Sequence, residues 1–348
     1  MRRIFCALAA CAAAVPALAA VPVYGPNLEG FAYPYPVEFY PLRTQAQSNW
    51  MAYMDVPPAG KGPVRGRTVA LLSGRSFCAA SWSSAIGALS RAGFRVLAPD
   101  QLGLCKSSKP ITYQYSFEQL ALNTRRLLDH ASAGRVILVG HGMGGMLAIR
   151  YALMFPSDVK ELILVDPLGL ADWKAEGVFY MTIGARYALM LERTTSSIER
   201  REREQFYGER WKKGYDVWVN VLAALFGGSG RERYAWNQAL IDDMMFTQPV
   251  VYELDRLRMP TVLIVGALDR AQPFEDTTPP PVSARLRDVP ALARRAAACI
   301  PDSRLVVLDG IGHAPQVEAP GRLSAVLLRA IEHPPGPPPR PSRPPADP

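Results

Sequence analysis

The chain has 348 residues, 49% of them hydrophobic, and a formal net charge of +8 at neutral pH. This length is enough for one large α/β domain or two small ones, and the composition is that of an ordinary globular protein with a sizeable core. The densest basic patch, at residues 199–204, alternates in sign as a solvated helix face does, so we expect no nucleic-acid partner.

The chain begins with a segment that is typical of an export signal. Arg2 and Arg3 precede an apolar run over residues 4–20, which ends in a small-x-small cleavage pattern. We therefore predict a signal peptide over residues 1–20 and a periplasmic or secreted protein with no other membrane association. The alternative is an uncleaved anchor helix, for which a run of about 17 residues is at the lower limit of length.

Short apolar runs alternate with helices through the first half of the chain. Two strand-like stretches, residues 37–45 and 50–55, follow an arm rich in proline and tyrosine. Four apolar runs then predict buried strands, with a helix after each of the first three: strands 68–72, 94–98, 136–139 and 162–165, and helices 79–92, 116–131 and 143–155. Apolar runs of this length between helices are typical of a buried parallel sheet.

The strand pattern then stops and resumes only near residue 260. Residues 171–256 have the pattern of helices and hold 14 of the 32 aromatic side chains, which favours an inserted cap packed over the sheet. Two further strands, 261–265 and 304–308, and a last helix, 321–332, follow the cap, with a proline-rich loop between the strands at residues 277–282. The predicted organisation is a core over residues 21–170, a cap over 171–256, a second part of the core over 257–332 and a proline-rich tail over 333–348.

Three cysteines follow the predicted cleavage site, namely Cys78, Cys105 and Cys299. In an oxidising compartment this odd number allows at most one disulfide. Cys78 and Cys105 are expected in loops at the ends of adjacent strands. There they either form a disulfide or pack separately.

The loops at the carboxyl ends of the predicted strands hold the candidate functional residues. The sequence Gly140-His141-Gly142-Met143-Gly144 joins a strand to a helix, and Asp269 and His313 follow later strands. Together these residues resemble the nucleophile elbow, acid and base of the α/β-hydrolase superfamily, in its order of Ser, Asp and His. The resemblance covers about residues 66–332 and favours the branch with esterases, prolyl iminopeptidases and carbon–carbon bond hydrolases. It implies an α/β-hydrolase fold, with a mostly parallel central sheet flanked by helices and an inserted helical cap.

Two positions depart from the pattern of that family. Gly142 occupies the position of the nucleophilic serine, and Ser73 stands where the third strand is usually followed by histidine. Without a hydroxyl at position 142, His313 has no proton to remove and no acyl-enzyme forms. Glycine nevertheless suits the turn, because a serine there is held in strained backbone that glycine adopts freely.

The resemblance assigns roles to the other parts of the site. His313 is the base and Asp269 is its carboxylate partner, with Asp166 as the alternative acid. The backbone N–H groups of Met143 and Arg75 form the oxyanion hole, which does not depend on the missing side chain.

Three hypotheses about function follow. The first is a pseudoenzyme that binds a small, mostly apolar organic molecule beneath an aromatic cap. The second is an enzyme that uses His313 and Asp269 as a general base in water-mediated hydrolysis, a lyase reaction or an isomerisation. The third is an active ester, amide or carbon–carbon hydrolase in which Gly142 replaces a natural serine. The sequence has no phosphate loop, zinc-spaced cysteine pair or His-x-x-x-His, so we expect no cofactor and no metal.

Overall fold

Eight strands form one sheet in the part of the chain that a computed structural model describes, residues 22–59 and 65–336. In chain order they are β1 (Glu38–Thr44), β2 (Gln47–Val56), β3 (Thr68–Leu72), β4 (Arg95–Pro99), β5 (Val136–Gly142), β6 (Val159–Pro167), β7 (Thr261–Gly266) and β8 (Ser303–Leu308). Their order across the sheet is β1-β2-β4-β3-β5-β6-β7-β8. The pairs that involve β1 or β2 are antiparallel and all other pairs are parallel, which is the mostly parallel sheet expected from the sequence.

Helices cover both faces of the sheet. They are α1 (Ser83–Arg91), α2 (Phe117–His130), α3 (Met143–Met154), α8 (Pro280–Leu286), α9 (Val289–Cys299), α10 (Pro315–Glu318) and α11 (Pro320–Glu332). The apolar side chains of α1 and α11 pack with one set of alternating strand residues, which includes Ile137 and Val139. Those of α2, α3 and α9 pack with the other set, which includes Val136 and Leu138. Because both faces are covered, β3, β5 and β7 are buried along their whole length.

Four helices lie in the chain between β6 and β7. They are α4 (Ile183–Leu191), α5 (Thr195–Phe206), α6 (Asp216–Gly227) and α7 (Arg231–Thr247), all within the predicted cap. The carboxyl end of α5 touches the loop after β8, because the backbone N–H of His313 donates to the carbonyl of Phe206 at 2.8 Å. The helices of this segment therefore lie against the sheet edge where the parallel strands end.

Two sequence expectations were wrong in this part of the chain. Residues 277–282 do not form only a loop, since α8 begins at Pro280, where the missing N–H and fixed φ of proline suit a first helical turn. Residues 199–204 are a solvated face only in part, because Arg200 is exposed whereas Glu202 is 2% exposed and lies on the same side of α5 as the buried Ile198 and Gln205. Alternation of charge sign carries no information about which side of a helix faces the core, whereas a spacing of three or four residues does.

Cys78 and Cys105 form a disulfide that joins the loops after β3 and β4. This pairing is one of the two alternatives that the sequence left open. Cys299 is exposed and has a free thiol. The predicted signal peptide and residues 337–348 of the predicted tail lie outside the described residues, and within residues 22–59 and 65–336 no helix has the length and apolarity that crossing a membrane requires.

Candidate active site

The turn at Gly142 has the geometry of a nucleophile elbow. Gly142 is the last residue of β5 and Met143 is the first residue of α3, so the chain passes from strand to helix without a loop. Gly142 has φ +56° and ψ −122°, a conformation that side-chain-bearing residues rarely adopt. A Cβ atom at this position would lie 3.4 Å from Nε2 of His313 and 3.5 Å from Cα of Gly74, which is ordinary contact. The turn therefore has room for a side chain that points at His313.

Two neighbouring glycines allow the turn to be this tight. A Cβ atom on Gly140 would lie 2.3 Å from the carbonyl oxygen of Gly144, and one on Gly144 would lie 2.4 Å from the carbonyl oxygen of Leu72. No real side chain tolerates backbone contacts this short. Packing therefore requires glycine at the two outer positions. Position 142, in contrast, has space for a side chain.

His313 and Asp269 lie side by side in the buried site. Nδ1 of His313 is 3.0 Å from Oδ2 of Asp269, and the two residues are 3% and 1% exposed. The other carboxylate oxygen of Asp269 accepts a hydrogen bond from the backbone N–H of Ala271 at 2.9 Å. With its Nδ1 proton donated to the carboxylate, His313 presents Nε2 as an acceptor toward Gly142.

Asp166 lies behind this pair and does not act as the partner of His313. One oxygen of Asp166 accepts from the backbone N–H of Gly266 at 2.7 Å, and oxygen atoms of Asp166 and Asp269 lie within 4.8 Å of each other and of a ring nitrogen of His313. Among the described residues, Asp269 is the only carboxylate that forms a hydrogen bond with His313, which favours Asp269 over Asp166 as the acid. Burial, and then the charge of Asp269, raise the pKa of Asp166 well above its usual range. Two adjacent buried carboxylates cannot both ionise readily, and Asp166 is the one that holds the proton.

We expect Asp166→Asn to become more stable relative to the parent as pH rises. The unfolded chain releases the Asp166 proton above pH about 4, whereas the folded parent keeps it. The free energy of unfolding of the parent therefore falls by at most about 1.4 kcal/mol per pH unit above that pH, and that of Asp166→Asn does not. Asparagine also tolerates the φ of +40° at this position and keeps a donor toward Asp269.

Urea unfolding of the parent and Asp166→Asn at pH 4.5 and pH 8 measures this difference. The exposed Asp255→Asn is the matched control and should show no such dependence on pH. A stability difference between Asp166→Asn and the parent that is equal at both pH values would mean that Asp166 is ionised in the folded state.

The predicted oxyanion residues Arg75 and Met143 line one cavity together with Gly142 and His313. Met143 is the first residue of α3, where a backbone N–H has no acceptor within the helix. The side chain of Arg75 has a further contact that the sequence did not indicate, an ion pair with Asp242 of α7. Residue 75 thus links the loop after β3 to the helices between β6 and β7.

His141 supports the site from beneath the turn. Its Nε2 is 2.7 Å from the carbonyl oxygen of His313, so Nε2 carries the proton, and Gln316 lies within 3.5 Å of the ring. Burial, and then the neighbouring ring of His313, lower the pKa of His141 to about 3. A neutral His141 fixes the backbone at His313 without adding charge. Sequence reasoning placed His141 at the elbow but had no signal for this contact, which spans 172 positions of the chain.

Three side chains near the turn do not replace the missing nucleophile. Cys78 and Cys105 are joined to each other and have no thiol. Ser73 is 4% exposed, and among the described residues its hydroxyl has no hydrogen-bond partner, whereas a serine nucleophile requires a base to accept its proton. Ser76 lines the same cavity as His313, and no hydrogen bond joins the two.

The sheet order, the tight turn and the buried His–Asp pair together define a protein with the α/β-hydrolase fold. A family model described as alpha/beta hydrolase fold matches residues 68–320, and the chain belongs to this family.

Comparisons with individual proteins agree with this assignment. A solved structure of a probable hydrolytic enzyme from Pseudomonas aeruginosa PAO1 is 46% identical, with a TM-score of 0.87 over 90% of this chain and 99% of that one. Among curated proteins, Lipase 3 of Moraxella sp. is 26% identical over 65% of this chain and 66% of its own length. A 2-hydroxy-6-oxo-2,4-heptadienoate hydrolase of Pseudomonas putida is 32% identical over 28% and 36%. The chain thus spans 36% to 66% of the length of these two curated relatives.

Proposed function

We propose that this protein binds a small organic molecule above Gly142 and does not perform the serine-dependent hydrolysis of its family. One observation carries the proposal. The elbow, the base and the acid partner are all in place, yet the position that points at Nε2 of His313 is a glycine. A triad without its hydroxyl cannot form an acyl-enzyme, while the cavity that would hold the ligand does not depend on that hydroxyl.

The cavity above the turn supports binding. It is lined by the loop after β3, by the turn itself and by residues of α5 and α7, among them Phe206 and Met245. Its volume of about 20 Å³ admits a water molecule but not a whole organic ligand. We infer that the helices between β6 and β7 move apart when a ligand enters.

An exported location is a second part of the proposal. The apolar run over residues 4–20 has the composition of a signal peptide. The disulfide between Cys78 and Cys105 supports the same location, because such bonds persist in oxidising compartments and are rare in reducing ones.

A second candidate function is general-base catalysis by His313. Its support is the intact contact between His313 and Asp269, which keeps Nε2 available as a proton acceptor beside the cavity. A base in this position can remove a proton from water or from an acidic carbon of a ligand.

Turnover by the native protein separates the two candidates. We expect the parent to hydrolyse small activated esters no faster than His313→Ala, because no nucleophile is present to be activated. The measurement is initial rates for a panel of p-nitrophenyl esters with acyl chains of increasing length. Gln316→Ala, which removes a buried side chain near His141 but not the base, is the control for indirect effects. Turnover in the parent that His313→Ala abolishes and Gln316→Ala retains would contradict the pseudoenzyme proposal and support the second candidate.

A further inference from the structure

A second chamber adjoins the cavity above Gly142. It shares four lining residues with the first cavity, Arg75, Ser76, Arg201 and Phe206. Its other lining residues are Met190, Arg193, Ile198, Glu202, Leu222, Phe226, Tyr234 and Gln238. Because the two lining sets overlap, the chambers are direct neighbours, and the shared side chains, among them Arg201, lie between them. We call the part lined by Arg193 and Arg201 the arginine chamber.

Arginine side chains outnumber carboxylates in this region. Arg75 and Arg186 both approach Asp242, and Arg186 also lies 3.9 Å from Asp276. Arg193 and Arg201 add two further guanidinium groups. Within residues 22–59 and 65–336, neither of these two has a carboxylate within 4.0 Å, so their charges are not neutralised by a contact ion pair.

Glu202 does not compensate for the extra positive charge. It is 2% exposed, and among the described residues neither of its carboxylate oxygens has a hydrogen-bond partner. Burial raises its pKa to about 8, against the opposing effect of Arg201, so the group is neutral at pH 7. In that form Glu202 is a hydrogen-bond donor within the chamber.

The two free guanidinium groups are only partly exposed, and holding them there unpaired is costly. Burial, and then the charges of neighbouring arginines, lower the pKa of both Arg193 and Arg201. An arginine stays charged at neutral pH, so the shift reports an unfavourable environment rather than loss of the proton. An anion placed between the two groups would relieve this cost.

We propose that the arginine chamber binds a carboxylate carried by the ligand, with the rest of the ligand extending past Arg201 toward His313. The proposal rests on the proposed small-molecule binding and names the class of ligand, an organic acid that has an ester-like or acyl group at its other end. It changes the expectation of a mostly apolar ligand, since the apolar part contacts Phe206, Leu222 and Phe226 while the charged end contacts Arg193 and Arg201. The arginine chamber has a volume of about 30 Å³, so it too must widen when the ligand enters.

Binding of two nearly isosteric esters tests the proposal. Monomethyl succinate is an anion at pH 7 and dimethyl succinate is neutral, and titration calorimetry on the full mature protein gives both dissociation constants. We expect the anion to bind at least about tenfold more tightly. Arg201→Gln and Arg193→Gln should each weaken binding of the anion by about tenfold and leave binding of the diester unchanged.

Arg200→Gln is the matched control, because Arg200 lies next to Arg201 on α5 but is exposed. It should leave both constants unchanged. Thermal unfolding of each variant checks that the fold is retained, and we expect no loss of stability in Arg201→Gln because the substitution removes a repulsive charge.

Each other outcome has a defined meaning. Equal affinity for the two esters, or no binding of either, overturns the carboxylate proposal. Tighter binding of inorganic phosphate than of monomethyl succinate, with the same dependence on Arg201, also overturns it and assigns the chamber to phosphate. His313-dependent hydrolysis of either ester contradicts the proposed loss of catalysis instead, and the ratio of KM values for the two esters then decides whether the carboxylate proposal holds.

Discussion

Gly142→Ser should give the protein esterase activity that the parent lacks. The position has room for a side chain, and its Cβ atom would lie 3.4 Å from Nε2 of the base. Removing one member of a catalytic triad typically costs several orders of magnitude in rate. We therefore expect a gain on the order of 10³-fold or more in kcat/KM for p-nitrophenyl acetate over the parent.

Two double variants and one single variant control this result. Gly142→Ser with His313→Ala should lose the gain, because the new hydroxyl then has no base. Gly142→Ala carries the same backbone change without a nucleophile and should remain inactive. Adding Ser73→His to Gly142→Ser restores the second departure from the family pattern and shows whether the loop after β3 limits the rate. If neither Gly142→Ser nor Gly142→Ser with Ser73→His is more active than Gly142→Ala, the site has diverged beyond its nucleophile.

The same substitution should lower stability. A residue with a side chain at φ +56° is held in a sparsely populated conformation at a cost of about 1–3 kcal/mol. Gly142→Ser and Gly142→Ala should therefore unfold at lower urea concentrations than the parent by similar amounts. Equal stability of all three proteins would contradict the left-handed conformation assigned to residue 142.

Loss of the disulfide should be the largest effect on stability. The bond closes a loop with a sequence separation of 27 residues. For a loop of this size, the entropy of the unfolded chain predicts a stabilisation of about 3.5 kcal/mol. We expect the double variant Cys78→Ala, Cys105→Ala to lose this amount, which corresponds to a fall in Tm of about 5 °C for a domain of this size.

Calorimetry under oxidising and reducing conditions gives the comparison. Reduction should lower the Tm of the parent and leave that of the double variant unchanged. Cys299→Ala, which removes an exposed free thiol, is the control and should match the parent in both conditions. A parent that is insensitive to reduction and alkylates at three cysteines would show that Cys78 and Cys105 are not joined.

The sequence was sufficient to predict the sheet and the turn because both are encoded locally. The run Thr68–Leu72 is a strand with those bounds and is buried throughout, and the predicted helix at 116–131 is α2. The glycines around His141 indicated the elbow, and each of the outer two has a packing contact that requires glycine. The pairing of His313 with Asp269 was implied by the resemblance to the α/β-hydrolase family, and the structure brings the two side chains together.

The rest of the site depends on contacts that no local pattern records. Arg201 and Glu202 belong to a segment whose alternating charges indicated a solvated surface, yet they line the arginine chamber. The contact between Arg75 and Asp242 joins residues that are 167 positions apart. Such pairs are set by how the helices pack on the sheet. The spacing of Ile198, Gln205 and Phe206 along α5 was the one available signal that a side of this helix is buried.

Helix α5 contacts both the arginine chamber and the loops that hold His313 and Asp269, so a movement of this helix affects both. Two backbone hydrogen bonds join its carboxyl end to these loops. The carbonyl of Phe206 accepts from the N–H of His313, and the carbonyl of Gln205 accepts from the N–H of Arg270, next to Asp269. Its side chains Ile198, Arg201 and Glu202 form one wall of the arginine chamber. A movement of α5 that widens the chamber therefore leaves the base in place only if the helix pivots about its carboxyl end. A sideways shift of the whole helix would instead pull His313 away from Gly142.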